Sequence, residues 1–231
     1  MANKKVVFVI VEGPTDRDAL GVLLDRIFDS QKLIVYVQHG DITSDTMTNA
    51  SNVIAKVAQT VKDYAKTNSL RRQDFQEVIH ITDTDGAFIP TDAVIADNTV
   101  ARLTYSPTGI RTKNKSNIED RNRRKSENIN RLVNQSSIWT DIPYRIFYMS
   151  CNLDHVLHNK LNSSDDEKED NAYRFAARYR GDIPGFMRFI ADSDFTVRGD
   201  YNETWDYIAR ELHSLERHTN LGLCFPENTS E

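Results

Sequence analysis

Cysteine is scarce. Cys151 and Cys224 are the two in 231 residues, and no pair has Cys-x-x-Cys spacing. Neither a zinc cluster nor a disulfide framework is indicated. No apolar run approaches the roughly 20 residues that a membrane helix needs, so no membrane partner is expected. The run Val6–Val11 follows a lysine pair, as the core of a leader peptide would. It is short, however, and runs into Glu12-Gly13-Pro14 where a small-residue cleavage site would stand. It reads as the first strand of a cytoplasmic protein. A Gly-x-x-x-x-Gly-Lys-Ser/Thr loop is missing, so this polypeptide carries no ATPase of that kind. Positive charge is also short. The net charge is −5, and a nucleic-acid role would need a local basic surface.

What is present begins with an alternation of strand and helix signals. Lys5–Val11 is a β-rich apolar run punctuated by Gly13 and Pro14. Thr15 is a candidate helix cap with Asp18 at the third helical position, and Leu20, Leu23, Leu24, Ile27 and Phe28 then share one helical face. Leu33–Gln38 reads as a second strand ended by His39-Gly40-Asp41, Asn49–Thr67 as a second helix, and Glu77–Thr82 as a third strand before the turn Asp83-Thr84-Asp85-Gly86. This βαβαβ order predicts an α/β fold with a mainly parallel sheet and helices on its faces. Residues 88–115 have loop character, Asn117–Asn134 predicts a helix with sparse apolar positions, and Tyr144–Met149 a fourth strand. Beyond Ser150 a short helix is expected at Asn152–Leu161, an acidic loop or mobile linker at Ser163–Asp170, and helices near Ala172–Tyr179, Ile183–Asp192 and Glu203–His218. The expected organisation is a Rossmann-like domain over residues 1–150 and a helical C-terminal part over 151–231.

Glu12 stands where one apolar strand gives way to a Gly-Pro turn. Asp83 and Asp85 stand where another gives way to a Gly turn. Ligands of open α/β sheets gather at the carboxyl ends of parallel strands. Three carboxylates converging there would repel one another, and a divalent cation relieves that repulsion. Mg²⁺ suits carboxylate oxygens and commonly bridges to substrate phosphates. Without a ligand, Glu12 is an ordinary strand-end acid and Asp83/Asp85 an Asx turn with Gly86 in a left-handed conformation.

The segments Phe8-Val9-Ile10-Val11-Glu12-Gly13-Pro14-Thr15-Asp16 and Ile79-His80-Ile81-Thr82-Asp83-Thr84-Asp85-Gly86 resemble the Glu-Gly and Asp-x-Asp motifs of TOPRIM domains, in the right order and roughly 70 residues apart. The resemblance covers about residues 5–150. It implies a Rossmann-like domain that handles phosphodiesters with Mg²⁺, Mn²⁺ being a substitute. Glu12 would act as metal ligand or general acid/base, Asp83 and Asp85 as metal ligands, and Asp16 as ligand of a second ion. With no primase-type zinc motif, no room for topoisomerase gate domains and no ATPase loop, the chain is most similar to stand-alone TOPRIM nucleases of bacterial phage defence or RNA processing. A separate ATPase subunit is then an expected partner.

Other residues are more ambiguous. Asp154 follows the fourth strand and can approach the same sheet edge or cap a short helix. His155 and His158 lack a further partner at ligand spacing, so packing is their expected role, and Cys151 is expected to be buried. Between Arg111 and Arg131 eight Lys/Arg stand against three Asp/Glu, a local +5 that leaves −10 on the rest. Lys113, Lys115, Arg121, Arg123 and Arg124 are the candidate contacts to DNA or RNA, the alternative being a solvated helix. Two rival functions are weighed. Asp83-Thr84-Asp85-Gly86 also resembles the first motif of haloacid-dehalogenase-type phosphatases, but that leaves Glu12-Gly13 unexplained, and the nearest later acidic candidate, Gly199-Asp200, lacks a persuasive strand. The other is a non-catalytic TOPRIM-like module that binds nucleic acid or an ATPase.

Overall fold

The computed structural model describes residues 5–28, 31–37 and 41–226; Gln38, His39 and Gly40, expected to end the second strand, lie outside the described residues. β1 (Val6–Val11) is buried along its whole length, as a strand covered on both faces must be. Its side chains alternate between two cores. Val7, Val9 and Val11 pack with Leu20, Leu23 and Leu24 of α1 (Pro14–Ile27). β2 (Lys32–Val37) then pairs parallel to β1. On the opposite face, Val6, Phe8 and Ile10 pack with Val53, Val57 and Val61 of α2 (Val53–Thr67). β3 (Phe75–Asp83) returns on the other side of β1, again parallel. The chain therefore winds outward from β1 in one direction and then crosses back. This makes the carboxyl ends of β1 and β3 a topological switch point, where such sheets open a crevice.

Residues 88–115, expected as loop, contain a second, three-stranded sheet. β4 (Val94–Ala96), β5 (Thr104–Ser106) and β6 (Gly109–Thr112) assemble in the order β4-β6-β5. Three or four residues per strand are too few to print an alternation, so the sequence carried no period to detect. α3 (Lys115–Val133) follows, then β7 (Ser137–Ile138) and β8 (Ile142–Met149), which complete the main sheet as β2-β1-β3-β8-β7, parallel except for β7. The expected α/β class with a mainly parallel main sheet is what the molecule has.

After β8 come α4 (Leu153–His158), α5 (Asp165–Tyr179), α6 (Ile183–Ala191) and α7 (Tyr201–Ile208). Val156, Phe175, Phe186 and Ile190 join the core of the α1 face, and Trp205 and Ile208 the opposite core. The acidic stretch at 163–170 is not a linker. Ser164 and Glu167 form a reciprocal capping box, and Asp165, Asp166 and Glu167 lie in the first turn of α5. Acids there are favoured by the helix dipole. The last helix stops at Ile208, short of the expected His218. From there the chain turns back through a 3₁₀ turn at His213–Leu215, and Thr219 bridges to Met149 at the end of β8.

Candidate metal centre

Glu12 leaves β1 beside the last residues of β3. One of its oxygens, Oε1, accepts the Thr82 hydroxyl at 2.6 Å and the Asp83 backbone N–H at 3.1 Å. Its other oxygen receives no hydrogen bond among the described residues. Two of the three expected acids are thus joined through the switch point itself. α1 begins at Gly13 with Pro14 at its first position, two residues ahead of the expected cap at Thr15. Asp16, and not Asp18, is the third helical residue, and its Oδ2 accepts the Gly13 N–H at 2.9 Å. Asp16 therefore closes the helix start while facing the sheet edge.

The Asp83–Gly86 turn is clamped from several sides. Asp85 adopts the left-handed region at φ 50° and Gly86 at φ 66°. A side chain at Gly86 would meet Leu215 at 2.6 Å. The Thr84 and Asp85 N–H groups donate to the carbonyls of Met149 and Cys151, and the Thr84 hydroxyl donates to the Ser214 carbonyl. Cys151 is buried, itself left-handed at φ 57°, and its N–H donates back to the Thr84 hydroxyl. A non-glycine residue is held in this conformation only when its surroundings over-determine it. The folded-back segment around Ser214 supplies much of that determination.

Two further residues complete the cluster, and neither was expected. Asp41 lies four residues beyond Val37, the end of β2. Lys125, on α3, is fully buried, with Nζ 2.7 Å from Asp41 Oδ2, 2.6 Å from Asp85 Oδ2 and 3.6 Å from Glu12 Oε1. The carboxylates of Glu12, Asp41 and Asp85 have oxygens within 4.8 Å of one another. Asp41 carries the same strand-end signature that identified Glu12 and Asp83. Lys125 was hidden by its neighbours: in a run of charges its place on the inner face of α3, in line with Asn122, Ile129 and Leu132, does not stand out. That face is polar at its N-terminal end because it lies over loop backbone. Asn122 donates to the Gly86 carbonyl and Asn128 to that of Thr43, which answers for the few apolar positions in the helix.

The acids are unequally satisfied. Asp85 has both oxygens engaged, Oδ2 by Lys125 and Oδ1 by the Tyr105 hydroxyl at 3.2 Å. Asp41 Oδ1 accepts from the Thr43 N–H and hydroxyl. Burial raises the Asp41 pKa, but the charge and hydrogen bond of Lys125, with Ser44 and Thr43, hold it well below the usual carboxylate range. Asp83 has neither a hydrogen bond nor an ion pair to its carboxylate among the described residues. Burial, then the charges of Glu12, Asp16 and Asp85, drive its pKa well upward. Glu12 is raised by burial, then by Asp41 and Asp85, against the pull of Lys125. Asp16 is raised to about 6, chiefly by burial, with the Gly13 N–H and Lys168 opposing. Asp154 lies in the first turn of α4, which Asn152 and not Asp154 caps; it is buried, accepts from Asn171 at 3.4 Å and acts electrostatically on Asp16. Four acids, Glu12, Asp41, Asp83 and Asp85, thus feel one buried ammonium, Lys125, while Asp16 beside them is opposed by Lys168. Their hard oxygen donors suit Mg²⁺ or Mn²⁺.

The basic run is largely spoken for. Arg121 donates to the Tyr105 hydroxyl and the Asp85 carbonyl, and Arg124 to the Ser44 carbonyl. Arg123 is exposed and paired with Asp120 and Glu127, Lys115 lies 3.7 Å from Glu119, and Lys113 is exposed. Lys168, not singled out by its sequence context, is a cation near Asp16. His158 packs its ring on Phe175, and His155 is buried. Asp200, the nearest candidate for a phosphatase's later acid, caps α7 by accepting from the Glu203 N–H at 2.9 Å. None of the helices described is long and apolar enough to cross a membrane. Comparisons with family models, with curated proteins and with solved structures find no match to this chain.

Proposed function

We propose that the protein is a divalent-metal-dependent phosphodiesterase of TOPRIM type that cleaves DNA or RNA. The observation that carries this proposal is the meeting of Glu12 and Asp83 at the switch point of a parallel sheet, with the Asp83 carboxylate and one Glu12 oxygen unengaged by any of the described residues. Asp83 and Glu12 would hold the ion, and Asp16, with Asp154 behind it, borders the same space. Bound there, Mg²⁺ or Mn²⁺ supplies Lewis-acid polarisation of a phosphodiester and neutralises charge building on its oxygens.

The chain's own residues do the rest. Thr82 fixes Glu12 by its hydroxyl, which leaves the free oxygen of Glu12 to orient an attacking water or accept its proton. The left-handed turn at Asp85-Gly86 directs the chain away after Asp83, so the acid stands at the rim of the sheet. Lys168, near Asp16, and the exposed Lys113 are the proposed contacts to a phosphate backbone.

Cleavage of plasmid, single-stranded DNA and tRNA with Mg²⁺ or Mn²⁺, set beside hydrolysis of a generic phosphate monoester, tests the proposal. Metal-dependent cleavage that Glu12→Gln removes supports it. Fast monoester hydrolysis that needs Asp83 but not Glu12 would transfer the site to a phosphatase, although the capping role of Asp200 speaks against that. Partnership with a separate ATPase rests on the sequence resemblance, and co-purification tests it.

A further inference from the structure

We propose that Lys125 is a positioning residue, a built-in monovalent cation that fills the Glu12–Asp41–Asp85 pocket and thereby confines the divalent ion to the Asp83 side of Glu12. The placement of the divalent ion rests on the metal-centre proposal above; the occupancy of the triad by Lys125 does not.

Three carboxylates with oxygens inside 4.8 Å would ordinarily be the best cation site in the molecule. Here the position is taken. The Lys125 ammonium has no exposed surface, sits 2.6 and 2.7 Å from Asp85 and Asp41, and reaches Glu12 at 3.6 Å. An ammonium and a hydrated Mg²⁺ cannot share so small a volume, and bringing one beside the other would set like charges a few ångströms apart. The remaining oxygens of the triad are also committed. Asp85 Oδ1 takes the Tyr105 hydroxyl, Asp41 Oδ1 takes Thr43, and Glu12 Oε1, the oxygen 3.6 Å from the ammonium, takes Thr82 and the Asp83 N–H. By contrast, among the described residues neither the Asp83 carboxylate nor the second Glu12 oxygen receives a hydrogen bond. Asp85, which its Asp-x-Asp spacing marks as a metal ligand equal to Asp83, is on this geometry the partner of a lysine. Lys125 acts through it, holding the turn that carries Asp83 and keeping Glu12 oriented between the two halves.

The test counts Mn²⁺ bound per chain, by electron paramagnetic resonance of the free ion, with no nucleic acid present. In the wild type, Asp83→Asn should lower the count by one and Asp85→Asn should not. Lys125→Met empties the triad of its cation, so that variant should bind one ion more than the wild type. The triple variant Lys125→Met/Asp41→Asn/Asp85→Asn should return to the wild-type number. If Lys125→Met does not fold in chelator because three acids then face one another, added Mn²⁺ should restore its far-ultraviolet circular dichroism. An unchanged count in a folded Lys125→Met, an absence of Mn²⁺ rescue in an unfolded one, or loss of the wild-type ion in Asp85→Asn would each overturn the inference. A wild type that binds Mn²⁺ yet cleaves no nucleic acid would overturn the nuclease proposal alone.

Discussion

The two halves of the acidic cluster are built from the same residue types at the same sheet edge, yet they differ in almost every physical respect. On one side Asp41 and Asp85 share a buried ammonium and receive hydrogen bonds from Thr43 and Tyr105. On the other, the Asp83 carboxylate has no hydrogen-bond or ion-pair partner among the described residues, and Asp16 gives one oxygen to a helix start while its pKa rises to about 6. Glu12 stands between them with one oxygen committed to protein donors. Burying a charge is costly unless it is paired. The paired half is self-sufficient, whereas the unpaired half stores repulsion that a proton or a metal ion can relieve. An acid's place in a cluster therefore says less about its task than the partners its oxygens already have.

The largest effect that can break this comparison is on cleavage. Glu12→Gln should lower metal-dependent cleavage by about 10²-fold or more, the scale of a lost acid–base group, while the protein stays folded. Asp83→Asn should abolish activity at low Mg²⁺ and recover part of it at high Mn²⁺. A plasmid-nicking assay across a metal titration reads both, and wild-type rates from Glu12→Gln would remove the mechanism.

Stability separates the halves next. Asp85→Asn takes one charge from a buried lysine and should destabilise the fold by about 3 kcal/mol, the low end of the cost of breaking a buried pair. Asp83→Asn relieves repulsion and should leave the apo protein as stable as the wild type or more so. Urea denaturation in chelator compares them, and equal losses would mean that the two acids are equivalent after all.

The pH dependence is a finer test. A free aspartate titrates near 3.9, whereas Asp16 in the fold titrates at about 6. Between these values the folded protein keeps a proton that the unfolded chain has released, so stability falls as pH rises through that window. Glu12 and Asp83 are shifted in the same direction. Asp41, held low by Lys125, loses its contribution only below the window. His80 and His155, each lowered to about 4 by burial, act in the opposite sense over this range, so Asp16→Asn is the reference: from pH 5 to pH 8 in chelator the wild type should lose melting temperature relative to that variant, and Mn²⁺ should raise the wild type more at pH 8. A wild type that gains melting temperature relative to Asp16→Asn from pH 5 to pH 8 without metal would contradict the unpaired half.

The smallest effects concern the basic helix. Arg121→Met removes donors from Tyr105 and from the Asp85 carbonyl and should cost about 1–3 kcal/mol. Arg123→Gln breaks two exposed pairs and should leave the melting curve unchanged. If instead Arg123→Gln alone weakens nucleic-acid binding in a salt series, the outer face of α3 belongs to the substrate path.

Local pattern was enough for much of the fold. The apolar runs of β1, β3 and β8 and the helical stripes of α1 and α2 announce themselves, because each element buries a run or a stripe of apolar side chains whatever surrounds it. Glu12 and Asp83 were legible as strand-end acids for the same reason. Less was legible where a residue's role depends on a partner far along the chain. The acidic start of α5 resembles a linker in composition, and only the Ser164–Glu167 capping box distinguishes it. The three short strands between β3 and α3 have no period of their own.

The order of strands and the acids at their ends were therefore written in the amino-acid sequence, through hydrophobic periodicity and turn chemistry that act over a few residues. Which acids are satisfied was decided only by the tertiary structure. Lys125 is separated by 84 residues from Asp41 and by 40 from Asp85, and the charge of a lysine in a basic run carries no mark of where it will be buried. Folding α3 across the sheet edge places that one ammonium on one side of Glu12, and electrostatics at short range and low dielectric makes the two sides unlike.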